Sequence, residues 1–220
     1  MSTSPAPEFR VSKARLETLL DGVFAIAMTL MVLEIKIPEL SDRRSMDEFA
    51  SAMKHNVPGI VSFLLSMGML GLFWYRHHRQ YHFIDRITPG LLGINLAFLS
   101  VIAFFPFSAG VIGKYPVNLG VYFVYLPNVL LIVLLLAMQW IHARHFGLLS
   151  LDILPREIHA MHIDNILGLV IVALLTTLYL GGILLVSHHY LDKGALIYVV
   201  WLMLPMIIGV KFLRRRLRFV

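Results

Sequence analysis

The residues that could do chemistry begin with one carboxylate inside an apolar run. In Arg15-Leu-Glu-Thr-Leu-Leu-Asp21-Gly-Val-Phe-Ala25-Ile26-Ala-Met-Thr29-Leu30-Met-Val-Leu33, Asp21 would sit at or near membrane depth. A charge there is costly in lipid and normally faces protein or water, with a partner. On a helix at about 100° per residue, Ile26, Leu30 and Leu33 share one stripe, with Thr29 and Gly22 beside it. Asp21 falls nearly opposite, with Ala25, Met28 and Val32, and Glu17 one turn below. Several copies of this helix around an axis would stack Ile26, Leu30 and Leu33 into apolar constrictions. Such constrictions gate by dewetting, and Thr29 would be the one hydroxyl between them. Ordinary packing also produces aliphatic stripes at helical spacing.

Histidine offers a second chemistry. Of ten histidines, seven fall on one predicted side: His77, His78, His82, His142, His145, His159 and His162. His78 and His82 are four apart, and His142/His145 and His159/His162 are three apart. On a helix such pairs share a face and could hold a metal through neutral imidazoles. This suits a membrane-embedded, histidine-rich, metal-dependent oxidoreductase. Those enzymes need tight clusters such as His-x-x-His-His, which do not occur here, and nearby carboxylates are few. A secondary transporter is a third reading. It would need polar sites at mid-membrane, where the chain offers little beyond Asn95 and Asn128, and such asparagines also bond neighbouring helices.

The elements that must position these residues follow from composition. The 220 residues are 58% apolar and 15% charged, against roughly half and a quarter in a soluble domain. The excess lies in blocks long enough to cross a ~30 Å hydrocarbon core as helices. The spans read as 16–37, 57–75, 89–112, 117–141, 163–187 and 194–213. Pro106 and Pro127 fall inside spans, tolerable where neighbouring helices re-satisfy the backbone. The stretch Ser45–His55 reads as a short interfacial helix in the one sizeable loop. With six spans, one side carries thirteen of the 19 Lys and Arg residues, including Arg214, Arg215 and Arg216. The positive-inside rule puts both termini in the cytoplasm. The net charge of +6 is thereby read as topology rather than nucleic-acid binding. Cysteine is absent, so disulfide and thiolate chemistry are excluded. The start lacks the apolar core and cleavage site of a signal peptide. The chain divides into a cytoplasmic N-terminal segment (1–15), a six-helix transmembrane domain (16–213) and a basic cytoplasmic tail (214–220). The fold class is an all-α integral membrane protein.

The order of residues in the first span resembles the pore-lining helix of the lysosomal potassium channel family (transmembrane protein 175 family), prokaryotic branch. That family carries Arg-x-x-x-Phe-Ser-Asp, then Ala-Ile-x-x-Thr-Leu. Arg15, Asp21, Ala25, Ile26, Thr29 and Leu30 stand at matching positions, and Leu19 and Leu20 replace the Phe and Ser. Phe73-Trp74-Tyr75-Arg76-His77-His78 resembles the family's Trp-x-x-His-His. Asn95 to Pro116, with Phe105-Pro106-Phe107, resembles its third span. The likeness covers roughly the first 125 residues. It implies a homotetramer in a bilayer, its pore lined by the first helix of each subunit, conducting potassium ions passively. Ile26 would be the narrowest gate, Leu30 and Leu33 further rings, and Thr29 the layer favouring potassium. Arg15, Asp21, His77 and His78 would form a structural network, with Arg15 or a histidine as partner of Asp21. A prokaryotic inner membrane is the implied location. No enzyme activity, cofactor, metal or nucleic-acid partner is expected.

Overall fold

In the computed structural model, residues 12–35, 39–42, 44–115 and 118–186 are described. The expected sixth span, 194–213, and the basic tail lie outside them. Five helices follow in order: α1 (Lys13–Leu30), α2 (Met46–Tyr81), α3 (Pro89–Lys114), α4 (Tyr122–His145) and α5 (Pro155–Val186). Short 3₁₀ turns at Met31–Glu34 and Leu119–Val121 extend α1 and precede α4. Each helix, α1 taken with its 3₁₀ turn, is long and apolar enough to cross a bilayer.

Two helices outrun the expected spans. α2 has 36 residues, about 54 Å at 1.5 Å per residue. It absorbs Ser45–His55, so that stretch is the first turns of α2 and not a separate interfacial helix. The local chemistry explains the start. The Ser45 side chain accepts from the Glu48 amide, a helix N-cap. The Glu48 carboxylate reaches back to the amides of Ser41 (2.6 Å) and Asp42 (2.9 Å), satisfying donors in the preceding loop. α5 likewise begins at Pro155, two turns before position 163, because proline suits the first helical turn.

α4 is the most enclosed of the described helices. Leu126, Val129, Ile132, Val133 and Leu136 are all buried, between α3 on one side and α5 on the other. α1 packs chiefly on α3. Inside α3, Pro106 removes one backbone donor. Near it, Asn128 of α4 donates Nδ2 to the Val101 carbonyl at 3.2 Å, and the Ser108 hydroxyl contacts Phe105 O and Asn128 Oδ1. These bonds join α3 to α4 across the segment that holds the proline.

The α2–α3 and α4–α5 loops are tied together. Ile84 and Leu149 form an antiparallel bridge, Asp85 N donates to Leu148 O and Ser150 N to Phe83 O. α4 stops with Leu148 N bonded to Ala143 O and Gly147 N to Arg144 O. This crossed pair is the Schellman ending, and it puts Gly147 at φ 59°, a region that L side chains rarely adopt.

Candidate functional site

α1 has three faces where the periodicity alone suggested two. Leu16, Leu20, Phe24, Ala27 and, in the 3₁₀ turn, Met31 are buried, a run at helical spacing that locks α1 into the bundle core. Phe24 meets Phe98 of α3 with centroids 6.0 Å apart. The second face carries Ile26, Leu30 and Leu33, which are 60%, 45% and 72% exposed. Thr29 lies exposed among them, its hydroxyl donating to the Ile26 carbonyl at 2.9 Å. Because the proton is spent inside the helix, the Thr29 oxygen keeps only acceptor capacity outward.

The third face holds Asp21. Its described partner is neither Arg15 nor a histidine: Trp74 of α2 donates Nε1 to Asp21 Oδ1 at 2.8 Å. Arg15 is exposed at the start of the same helix, and among the described residues no ion pair joins it to Asp21. The Trp74 ring stacks on His78 one turn along α2, centroids 5.3 Å apart and planes 16° apart. Asp21, Trp74 and His78 therefore form one cluster, with the carboxylate and imidazole exposed and the indole partly buried. His77 points the other way, into the helix bundle. It is buried, with Nε2 3.1 Å from Asn95 Oδ1, and stacks on Tyr81 and Phe98. The expected four-residue network is thus split between two faces of α2. A helix turns about 100° per residue, so adjacent histidines cannot share a side.

Sequence reasoning missed Trp74 as the partner of the carboxylate. The signal was present, since an indole N–H set in apolar surroundings needs an acceptor. Leu20, standing where the resembled pattern has serine, is buried in the core. No side-chain hydroxyl is therefore available at that position.

The histidine pairs do not converge. His82 meets Phe83 edge-on, His142 lies 3.1 Å from the Thr88 hydroxyl, and His145 meets the Phe146 ring. Among the described residues, no three His, Asp or Glu side chains are grouped to hold a metal. A further polar cluster joins α2 to α5. Arg79 pairs with Asp164 at 2.6 Å, and Arg76 donates to the Asp164 carbonyl and to Asn165 Oδ1. The Arg76 guanidinium lies so close to α5 that a Cβ at Gly168 would crowd it.

Apolar helices of spanning length, outward aliphatic faces and a sparse polar interior define an α-helical membrane protein. Residues 15–106 match the family model described as the endosomal/lysosomal potassium channel TMEM175. A protein of Streptomyces collinus named a potassium channel is 31% identical over 101 residues, 46% of this chain and 48% of that one. A Bos taurus protein named an endosomal/lysosomal proton channel, TMEM175, is 33% identical over 97 residues, 40% of this chain and 20% of its own. The chain spans about half the length of the bacterial relative and a fifth of the mammalian one. The crystal structure of a lysosomal potassium-selective channel TMEM175 homolog from Chamaesiphon minutus superposes with a TM-score of 0.70. It shares 23% identity, over 88% of this chain and 96% of that one, a likeness of fold. Over residues 15–106 the chain is similar to the TMEM175 family, and the bacterial relatives it matches there are named potassium channels.

Proposed function

We propose that this chain is a potassium-conducting channel, assembled as a homotetramer around α1, in a prokaryotic inner membrane with both termini cytoplasmic. The observation that carries the reading is the division of α1. One face is spent on its own subunit, while Ile26, Leu30 and Leu33, with Thr29 among them, turn away from the core. Four such faces about an axis would enclose a narrow apolar path that conducts only when wetted. Ile26 is its tightest ring, and the outward acceptor oxygen of Thr29 is the one polar layer between the aliphatic rings. The names of the bacterial relatives support potassium as the permeant ion.

The experiment is a flux assay on purified protein in liposomes under a potassium gradient, run in parallel with a pH-sensitive dye. Passive potassium flux with little sodium flux is expected. Absence of ion flux would end the channel reading. Proton flux without potassium flux would move the assignment to the activity for which the mammalian relatives are named.

A further inference from the structure

Three helices bring polar side chains to one place that neither lipid nor solvent reaches. His77 of α2, Asn95 of α3 and Gln139 of α4 are each exposed by 1% or less. His77 Nε2 lies 3.1 Å from Asn95 Oδ1. With the amide oxygen accepting, Nε2 carries the proton and Nδ1 is left as an acceptor. The Gln139 amide lies beside the same ring. His77 Nδ1, Asn95 Nδ2 and both polar atoms of Gln139 are consequently buried with unmade bonds.

One turn along α2, Tyr81 stacks on His77 with centroids 4.0 Å apart, and its buried hydroxyl also has no partner.

Buried polar atoms are nearly always paired, and where side chains cannot pair them ordered water does. The groups here are amide, imidazole and phenol, mixed donors and acceptors without a charged ligand. That composition suits water rather than a cation. We infer that the chain binds a small water cluster between His77, Asn95 and Gln139, next to the Tyr81 ring. The site lies behind α1. His77 stacks on Phe98, which touches Phe24 on the buried face of that helix. It does not depend on the channel reading.

Hydroxyl-radical footprinting by X-ray radiolysis tests this on the full chain in lipid nanodiscs, because radicals form at bound water and label what touches it. His77 and Tyr81 are expected to be labelled at rates approaching that of exposed Tyr75, while equally buried Phe73 and Phe105 are not. Labelling of His77 and Tyr81 no faster than Phe73 would overturn the site. Gln139→Leu should cut His77 labelling several-fold with the Phe73 pattern unchanged. If it does not fold, Gln139→Met replaces it. Unchanged His77 labelling in a folded variant would sink the assigned position. Labelling that appears only in potassium and vanishes in sodium would also overturn water as the occupant.

Discussion

Asp21 shows how one side chain can be read correctly in kind and wrongly in partner. A carboxylate within an apolar helix needs a donor, and an indole supplies one at 2.8 Å without bringing a second charge out of water. Trp74→Phe keeps the ring stacked on His78 but removes the donor. It should lower stability by about 1 kcal/mol, the usual net worth of one such bond, read as a reduced melting temperature in detergent. A melting curve matching the unsubstituted protein would show that Asp21 is held some other way. On the exposed stripe, Ile26→Asn places an amide in the proposed constriction and should raise potassium flux, because a polar ring holds water where an aliphatic one expels it. Conduction identical to the parent protein would remove Ile26 from the gate. Thr29→Ala deletes the one acceptor oxygen on that stripe and should reduce the preference of potassium over sodium. An unaltered permeability ratio would take selectivity away from Thr29.

At the scale of elements, the ends of helices carry the most specific chemistry. Gly147 closes α4 in a left-handed conformation, φ 59°, and a Cβ there meets open space. Gly147→Ala therefore costs only the backbone penalty, about 1–2 kcal/mol, which thermal unfolding would register. The start of α2 depends on Glu48, whose carboxylate takes two loop amides. Glu48→Ala should speed hydrogen exchange at Ser41 and Asp42 and leave the interior of α2 protected. Equal exchange in both proteins would mean the loop is ordered without that anchor. The 3₁₀ turn after α1 is seated by close approach, since a Cβ at Gly110 would run into the Glu34 carboxylate. The crevice there is also lined by Gly59, Ser62 and Gly113. Small residues let membrane helices approach closely where the hydrophobic effect gives no drive.

At the scale of the whole molecule, the described bundle is held by two unlike devices. Aromatic and aliphatic packing joins α1, α3 and α4 through Phe24, Phe98, Phe105 and Tyr125. A polar seam joins α2 to α5: Arg79 pairs with Asp164, Asn165 donates to Gln80, and Gln80 donates onward to the Leu136 carbonyl of α4. In lipid, dispersion and hydrogen bonds must do what the hydrophobic effect does in water. Both devices lie within one chain, whereas the proposed pore requires other copies to face the stripe on α1. Native mass spectrometry of the purified chain should therefore give four times 25.0 kDa. A monomer that still conducts would contradict a pore shared between subunits.

The membrane class, the five described spans and the division of α1 into unlike faces were legible in the residues themselves. Spanning a hydrocarbon core imposes a length and polarity on each helix that local sequence must meet by itself. Which face of α1 is core was not legible, because in a membrane lipid-facing, axis-facing and buried positions are all aliphatic. Leu20 and Ile26 look alike as residues and differ only in what lies opposite them. The pairing of Asp21 with Trp74, the separation of His77 from His78 and the fusion of Ser45–His55 into α2 were likewise decided in three dimensions. Each depends on where a second helix happens to pass, and periodicity along one chain carries no record of that.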